Sequence, residues 1–189
     1  RKITMSLRQM EPMCYVAPVM PPSDFMPFEF GIEIPSGEGG NVFTIPNNPN
    51  NTGEYDFFVD WGDGTQNQGQ VFTHTYPVKP IKSTYPVKIY GKFPQFYLNG
   101  DEMTGEKLVS INNWGDVDWN SFDNAFNGAK KMTIPATDTP KIANVSDFTN
   151  AFKDNQALDY DFSEWDWPNA GGGELEMEGF LDGASSNTG

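Results

Sequence analysis

The sequence predicts a mainly β protein, with a β-sandwich first and a short solenoid-like array of repeats with small helical turns after it. Three observations carry this. Short apolar–polar alternations recur at roughly ten-residue spacing, each closed by turn residues. The 189 residues include 19 Gly and 15 Pro, which punctuate strands and break long helices. Past residue 100, a phenylalanine–asparagine motif returns after 26 residues.

Three segments follow in order. Residues 1–27 read as an extended Met- and Pro-rich arm. Prolines at 12, 18, 21, 22 and 27 exclude a helix or a sheet ladder there. The segment reads either as a disordered leader or, since Met side chains adapt to irregular surfaces, as an arm that docks on a neighbouring subunit.

Residues 28–99 read as the sandwich. Phe28, Phe30, Ile32 and Ile34 alternate with Glu29, Gly31 and Glu33, the pattern of a half-buried strand. Further strands are expected over residues 42–45, 55–60, 71–76, around Tyr85, Val87 and Ile89, and over 93–98. The Asn-rich stretch 47–53 reads as a loop by composition.

Residues 100–189 read as the array. Ser121-Phe122-Asp123-Asn124-Ala125-Phe126 and Asp147-Phe148-Thr149-Asn150-Ala151-Phe152 share the form x-Phe-x-Asn-Ala-Phe. A degenerate third copy, Met177-Glu178-Gly179-Phe180, follows three glycines, with an apparent shift of two residues. A period of about 26 residues lies in the leucine-rich-repeat range, where each unit stacks on its neighbours. Leu108, Ile111, Trp114, Val117 and Trp119 read as a lead-in capping the array.

The net charge of −14 excludes a nucleic-acid partner, whose phosphates this surface would repel. No apolar run approaches the roughly 20 residues of a membrane-spanning helix, so no membrane insertion is expected. Arg8, Gln9, Glu11 and Pro12 interrupt any apolar stretch of a secretory signal. Cys14 is the sole cysteine, so no intrachain disulfide forms.

The run Asp60-Trp61-Gly62-Asp63-Gly64-Thr65, with His74-Thr75-Tyr76 downstream, resembles the signature of PKD domains over residues 28–98. That resemblance implies an immunoglobulin-like sandwich, with Asp60, Trp61, Gly62, Asp63, Gly64, His74 and Tyr76 in structural roles. Thr84-Tyr85-Pro86-Val87 departs from the family pattern by lacking its glycine, and Pro86 is unusual in a strand. Residues 104–183 are similar to the repeats of BspA-like leucine-rich-repeat surface proteins. There Phe126 and Phe152 carry the match with the Trp114-Gly115-Asp116 lead-in. Together the two resemblances imply adhesion or display.

Chemistry has few candidates. His74 is the only histidine, so a Ser-His-Asp triad would have to use it, and a zinc site is nearly excluded. No zincin, P-loop or nucleophile-elbow motif occurs. Paired carboxylates of the glycosidase kind would be Asp60 with Asp63, Asp116 with Asp118, or members of the group Asp159, Asp161, Glu164 and Asp166, whose plainer reading is a solvated strand face. Asp159, Asp161, Glu164 and Asp166 are candidate calcium ligands, since clustered oxygens suit a hard cation, although their spacing is not that of an EF-hand loop. No other cofactor is implied. Trp114, Trp119, Trp165 and Trp167 read either as core or as a sugar-stacking platform.

The expected function is a non-catalytic structural and adhesion module. It would contact neighbouring protein subunits, a host surface protein or a glycan. Its location would be a bacterial cell surface, or a virion as a phage decoration or tail protein; the lack of a recognisable secretory signal favours the particle, and the family resemblance favours the cell surface. The alternative is a carbohydrate-binding accessory module of a secreted hydrolase.

Overall fold

In the computed structural model, which describes residues 24–50, 55–168 and 174–184, the first alternation becomes β1 (Phe28–Ile34). The arm before residue 24, Cys14, part of the 47–53 loop, the three glycines at 171–173 and the tail at 185–189 lie outside the described residues. Phe28, Phe30, Ile32 and Ile34 are buried, while Glu29 and Glu33 keep partial access to water. Gly31 is buried too, and a Cβ there would strike the Ser110 side chain of the neighbouring strand.

Six more strands follow: β2 (Val42–Thr44), β3 (Asp56–Asp60), β4 (Gln66–Gln68), β5 (Thr73–Thr75), β6 (Ser83–Lys92) and β7 (Leu108–Asn113). They form a five-stranded sheet in the order β4-β3-β6-β1-β7 and a two-stranded sheet, β2-β5, with every pairing antiparallel. Rings meet between the sheets: Phe30 of β1 lies 6.0 Å from Phe43 of β2, and Tyr85 of β6 lies 4.4 Å from Tyr76, the residue after β5. The protein is mainly β, in antiparallel sheets consistent with a sandwich.

Pro86 does not interrupt β6. It pairs with Gly31 of β1, whereas β3 pairs only with Lys88 to Lys92 and has already turned away at Asp60. The ladder is one-sided at Pro86, the setting in which a strand tolerates a missing N–H.

One expectation is corrected. Residues 93–98 are not a strand. Phe93, Phe96 and Leu98 are buried, but the backbone serves the repeats: the Leu98 and Asn99 amides donate to the carbonyls of Ala125 and Asn124, both at 3.0 Å. The lead-in from Leu108 forms β7, which extends the large sheet beyond β1 and also meets the start of the array, where the Ile111 amide donates to the Thr133 carbonyl at 2.9 Å. Between them, Asp101 accepts from the Met103 and Thr104 amides and starts the one-turn helix α1 (Glu102–Gly105).

Beyond β7 the chain winds in turns held by parallel backbone hydrogen bonds. The amides of Phe122, Asn124, Phe126 and Gly128 donate to the carbonyls of Asp147, Thr149, Ala151 and Lys153 at 2.8–2.9 Å. One turn on, the amides of Phe148, Asn150, Phe152 and Asp154 donate to Glu176, Glu178, Phe180 and Asp182 at 2.7–3.0 Å. Asn124, Asn150 and Gly179 occupy equivalent places, with φ of 50°, 53° and 65°. The third copy is therefore offset by three residues, matching the three glycines before it, and not by two. Leu181 holds the place of Phe126 and Phe152, and Phe180 the place of Ala125 and Ala151.

A column of rings runs along this axis. Phe96 stacks on Phe126 at 5.1 Å and 24°, and Phe126 on Phe152 at 5.3 Å and 20°. Phe28, Trp114 and Trp119 join the same cluster, so the core is continuous across residue 99.

Candidate functional site

A group of mutually hydrogen-bonded polar side chains lies where β3 turns into β4. The chain reverses at Gly62, whose φ is +77°. A Cβ there would come within 2.5 Å of the Pro86 carbonyl oxygen, so only glycine fits. The Asp60 carboxylate accepts from the Gly62 amide at 2.9 Å. One oxygen of Asp63 accepts from the Thr65 amide at 3.0 Å and its hydroxyl at 2.6 Å, closing the turn locally. The other lies 2.8 Å from His74 Nε2.

Beneath this turn Trp61 is fully buried. Its indole N–H donates to Asn67 Oδ1 at 2.8 Å, and the Tyr76 hydroxyl donates to its carbonyl at 2.9 Å. Burial pushes the Asp63 carboxyl up, but its hydrogen bonds to Thr65 and His74 outweigh this and leave it below the usual carboxylate range. Burial drives the Tyr76 phenol far above its ordinary value, and the charge of Asp63 adds to the effect.

This geometry is not that of a nucleophilic relay. Thr65 Oγ1, at 3.2 Å, and Asp63 both face the same ring nitrogen, Nε2. A triad divides the two nitrogens between the orienting acid and the nucleophile. Here the histidine is a strut between a turn and a buried ring.

The four tryptophans do not assemble an exposed platform. Trp114, Trp119 and Trp165 are 0%, 1% and 3% exposed; only Trp167 is half-buried. They fill the joint between sheet and repeats: Trp114 lies 6.0 Å from Phe28 on one side and 5.4 Å from Trp165 on the other. The indole N–H groups of Trp114 and Trp119 are buried with no acceptor among the described residues. Those of Trp165 and Trp167 reach the Tyr160 hydroxyl and the Phe162 carbonyl, at 3.2 and 3.0 Å.

Nor do Asp159, Asp161, Glu164 and Asp166 gather round a cation. All four are exposed, and among the described residues no three His, Cys, Asp or Glu side chains are placed to hold a metal ion. Asp161 instead accepts from the Ser163 amide at 2.9 Å, capping the 3-10 turn Phe162–Glu164. That bond holds its carboxyl below the ordinary range.

A shallow cleft of about 320 Å³ is bordered by Phe25, Lys92, Asp116, Asp118 and Asn120. It brings together Asp116 and Asp118, one of the carboxylate pairs singled out by sequence. Asp116 pairs with Lys141 at 2.8 Å and accepts from the Met26 amide at 2.8 Å. The bond to Lys141, with that from Met26, holds its carboxyl below the ordinary range. A glycosidase acid needs the opposite shift. Sequence reasoning missed Asp138, whose carboxylate accepts from the amides of Trp114 and Gly115 at 3.0 and 2.7 Å. It carries no motif and acts through fold alone.

Among the described residues no helix is long and apolar enough to cross a membrane. No protein-family model, no curated protein and no solved structure matches the chain. The PKD and BspA-like resemblances therefore rest on the motif residues themselves.

Proposed function

We propose that the chain is a non-catalytic display and binding module. In this reading a PKD-type, immunoglobulin-like sandwich carries a short leucine-rich-repeat-like stack on the exterior of a bacterial cell or of a virus particle. Its partners are neighbouring subunits or a host surface protein or glycan.

The register of the stacked turns carries this reading. Each turn hands its backbone donors to the next, and Phe126 and Phe152 occupy equivalent buried places. Such a stack is built by repetition and leaves the outward side chains free for contacts. The polar groups that sequence offers for chemistry also have structural work: Asp60, Asp63 and His74 tie one turn, and Asp161 caps another.

The test is access from outside. Antibodies raised against the purified chain should decorate intact cells or particles of the source. Antigen reached only after lysis would overturn the reading.

A further inference from the structure

The last turn of the stack ends on an unusual edge. In the two preceding turns, alternate amides donate forward to the next layer. In the last turn the equivalent amides are those of Met177, Gly179, Leu181 and Gly183, and they have no acceptor among the described residues. The carbonyls of residues 176–182 are all engaged, either by the layer behind or by amides three residues on. Among the described residues the edge thus offers a row of backbone donors and, over residues 176–182, no free backbone acceptor. Beside it, Phe180 and Leu181 are half-buried and Met177 is 39% exposed.

The surroundings are strongly acidic. Residues 154–184 include nine Asp or Glu and no Lys, Arg or His, and one of the nine, Asp182, is met by Lys153 of the layer beneath at 3.5 Å. Two such ends cannot meet, since donors would face donors and acids would face acids. A head-to-tail stack is also excluded, because the opposite end is covered: the carbonyls of Asn124, Ala125 and Asn127 already accept from Asn99, Leu98 and Gly100.

We propose that this terminal turn is an assembly surface, and that its occupant is the N-terminal segment, residues 1–23, of a second copy of the chain. Three complementarities select it. An acceptor-hungry edge suits a segment rich in carbonyls and poor in amides; Pro12, Pro18, Pro21 and Pro22 each supply a carbonyl and no N–H. The segment carries Arg1, Lys2 and Arg8 against a single acid, Glu11. Its Met and Val side chains adapt to an irregular apolar rim such as Met177, Phe180 and Leu181. Backbone pairing to a free edge is an established mode of peptide recognition. The inference rests on the assembly aspect of the proposed function and names the surface that performs it.

Cys14, the sole cysteine, lies inside this segment and accepts a nitroxide label. The experiment mixes ¹⁵N-labelled full-length chain with unlabelled full-length chain carrying the nitroxide. The expected result is broadening of the Met177, Gly179, Leu181 and Gly183 amide signals in the isotope-labelled chain. Broadening should fade as salt rises towards about 0.5 M, where the screening length is only a few ångströms. A Lys2→Glu/Arg8→Glu chain should bind about tenfold more weakly or worse.

Broadening seen only when label and isotope share one chain would overturn the proposal in favour of cover from within. So would self-association by light scattering without broadening at these four amides; the display reading would then stand and this surface would fall. If the amides broaden in the mixture but external antibodies never reach the intact particle, the surface stands and the location falls.

Discussion

His74 lies face to face with Trp61, ring centres 4.9 Å apart and planes 18° from parallel. The imidazole covers a fully buried indole while its Nε2 meets Asp63 at 2.8 Å. One side chain therefore joins the turn after β3 to strand β5 in the other sheet. His74→Ala should cost about 2–3 kcal/mol, from a lost aromatic contact and a stranded carboxylate. His74→Phe restores the ring but not the bond, and should recover part of it. Urea titrations with unchanged m-values would measure both; equal losses in the two variants would show that stacking contributes nothing.

Asp63 makes this joint sensitive to acid. Its side chain is 7% exposed, and its hydrogen bonds depress the carboxyl below the ordinary value of about 3.9 in the folded state. A depressed folded-state value means that the stabilisation is whole above the unfolded value and is lost as pH falls through the folded one. The stability gap between the native chain and Asp63→Asn should be widest near neutrality and close below about pH 4. A gap that stays constant down to pH 3 would show that the charge on Asp63 is irrelevant to folding.

Trp61→Ala should destabilise by about 3–5 kcal/mol, the usual range for deleting a large buried aromatic. Trp61→Phe keeps most of the apolar contact but strands Asn67, so a loss of about 1 kcal/mol is expected. Thermal melting distinguishes the two. An unchanged midpoint in Trp61→Ala would mean that the ring does not sit between the sheets.

Where one side chain's environment was set by its neighbours in sequence, the fold was legible. Phe28 to Ile34 alternate because β1 is regular, and the Gly62 turn follows from local polar side chains. Strand β7 escaped because its pairing with β1 shifts register twice, between Glu29 and Phe30 and between Gly31 and Ile32. Those irregularities spread Leu108 and Ile111 three apart and erase the two-residue period. Strand β4 escaped because Gln66, Asn67 and Gln68 form an exposed edge with no apolar signal. Residues 93–98 misled for the opposite reason: they have a buried apolar pattern but no ladder, the Tyr97 amide bonding to the Pro46 carbonyl and the Leu98 amide to that of Ala125 in the stack. In the candidate site, the turn around Asp63 was readable from its motif. The burial of Trp114 and Trp119 depends on long-range packing that composition does not encode.

The alignment of the third repeat is testable by coupling two positions. Gly179 has φ +65°, and a Cβ there would strike Asn150 Oδ1 in the layer beneath. Gly179→Ala should therefore cost about 1–2 kcal/mol for backbone strain, plus the cost of the collision. Asn150 sits at φ 53°, a conformation that glycine adopts freely, so Asn150→Gly should fall within about 0.5 kcal/mol of the native chain. In the double variant the collision disappears while the backbone strain of the Gly179→Ala change remains. The two changes should thus be non-additive, with the pair more stable than the sum of the single effects by about 0.5 kcal/mol or more. Strict additivity in chemical denaturation would mean that Asn150 and Gly179 are not stacked, and the three-residue offset of the last repeat would fall with it.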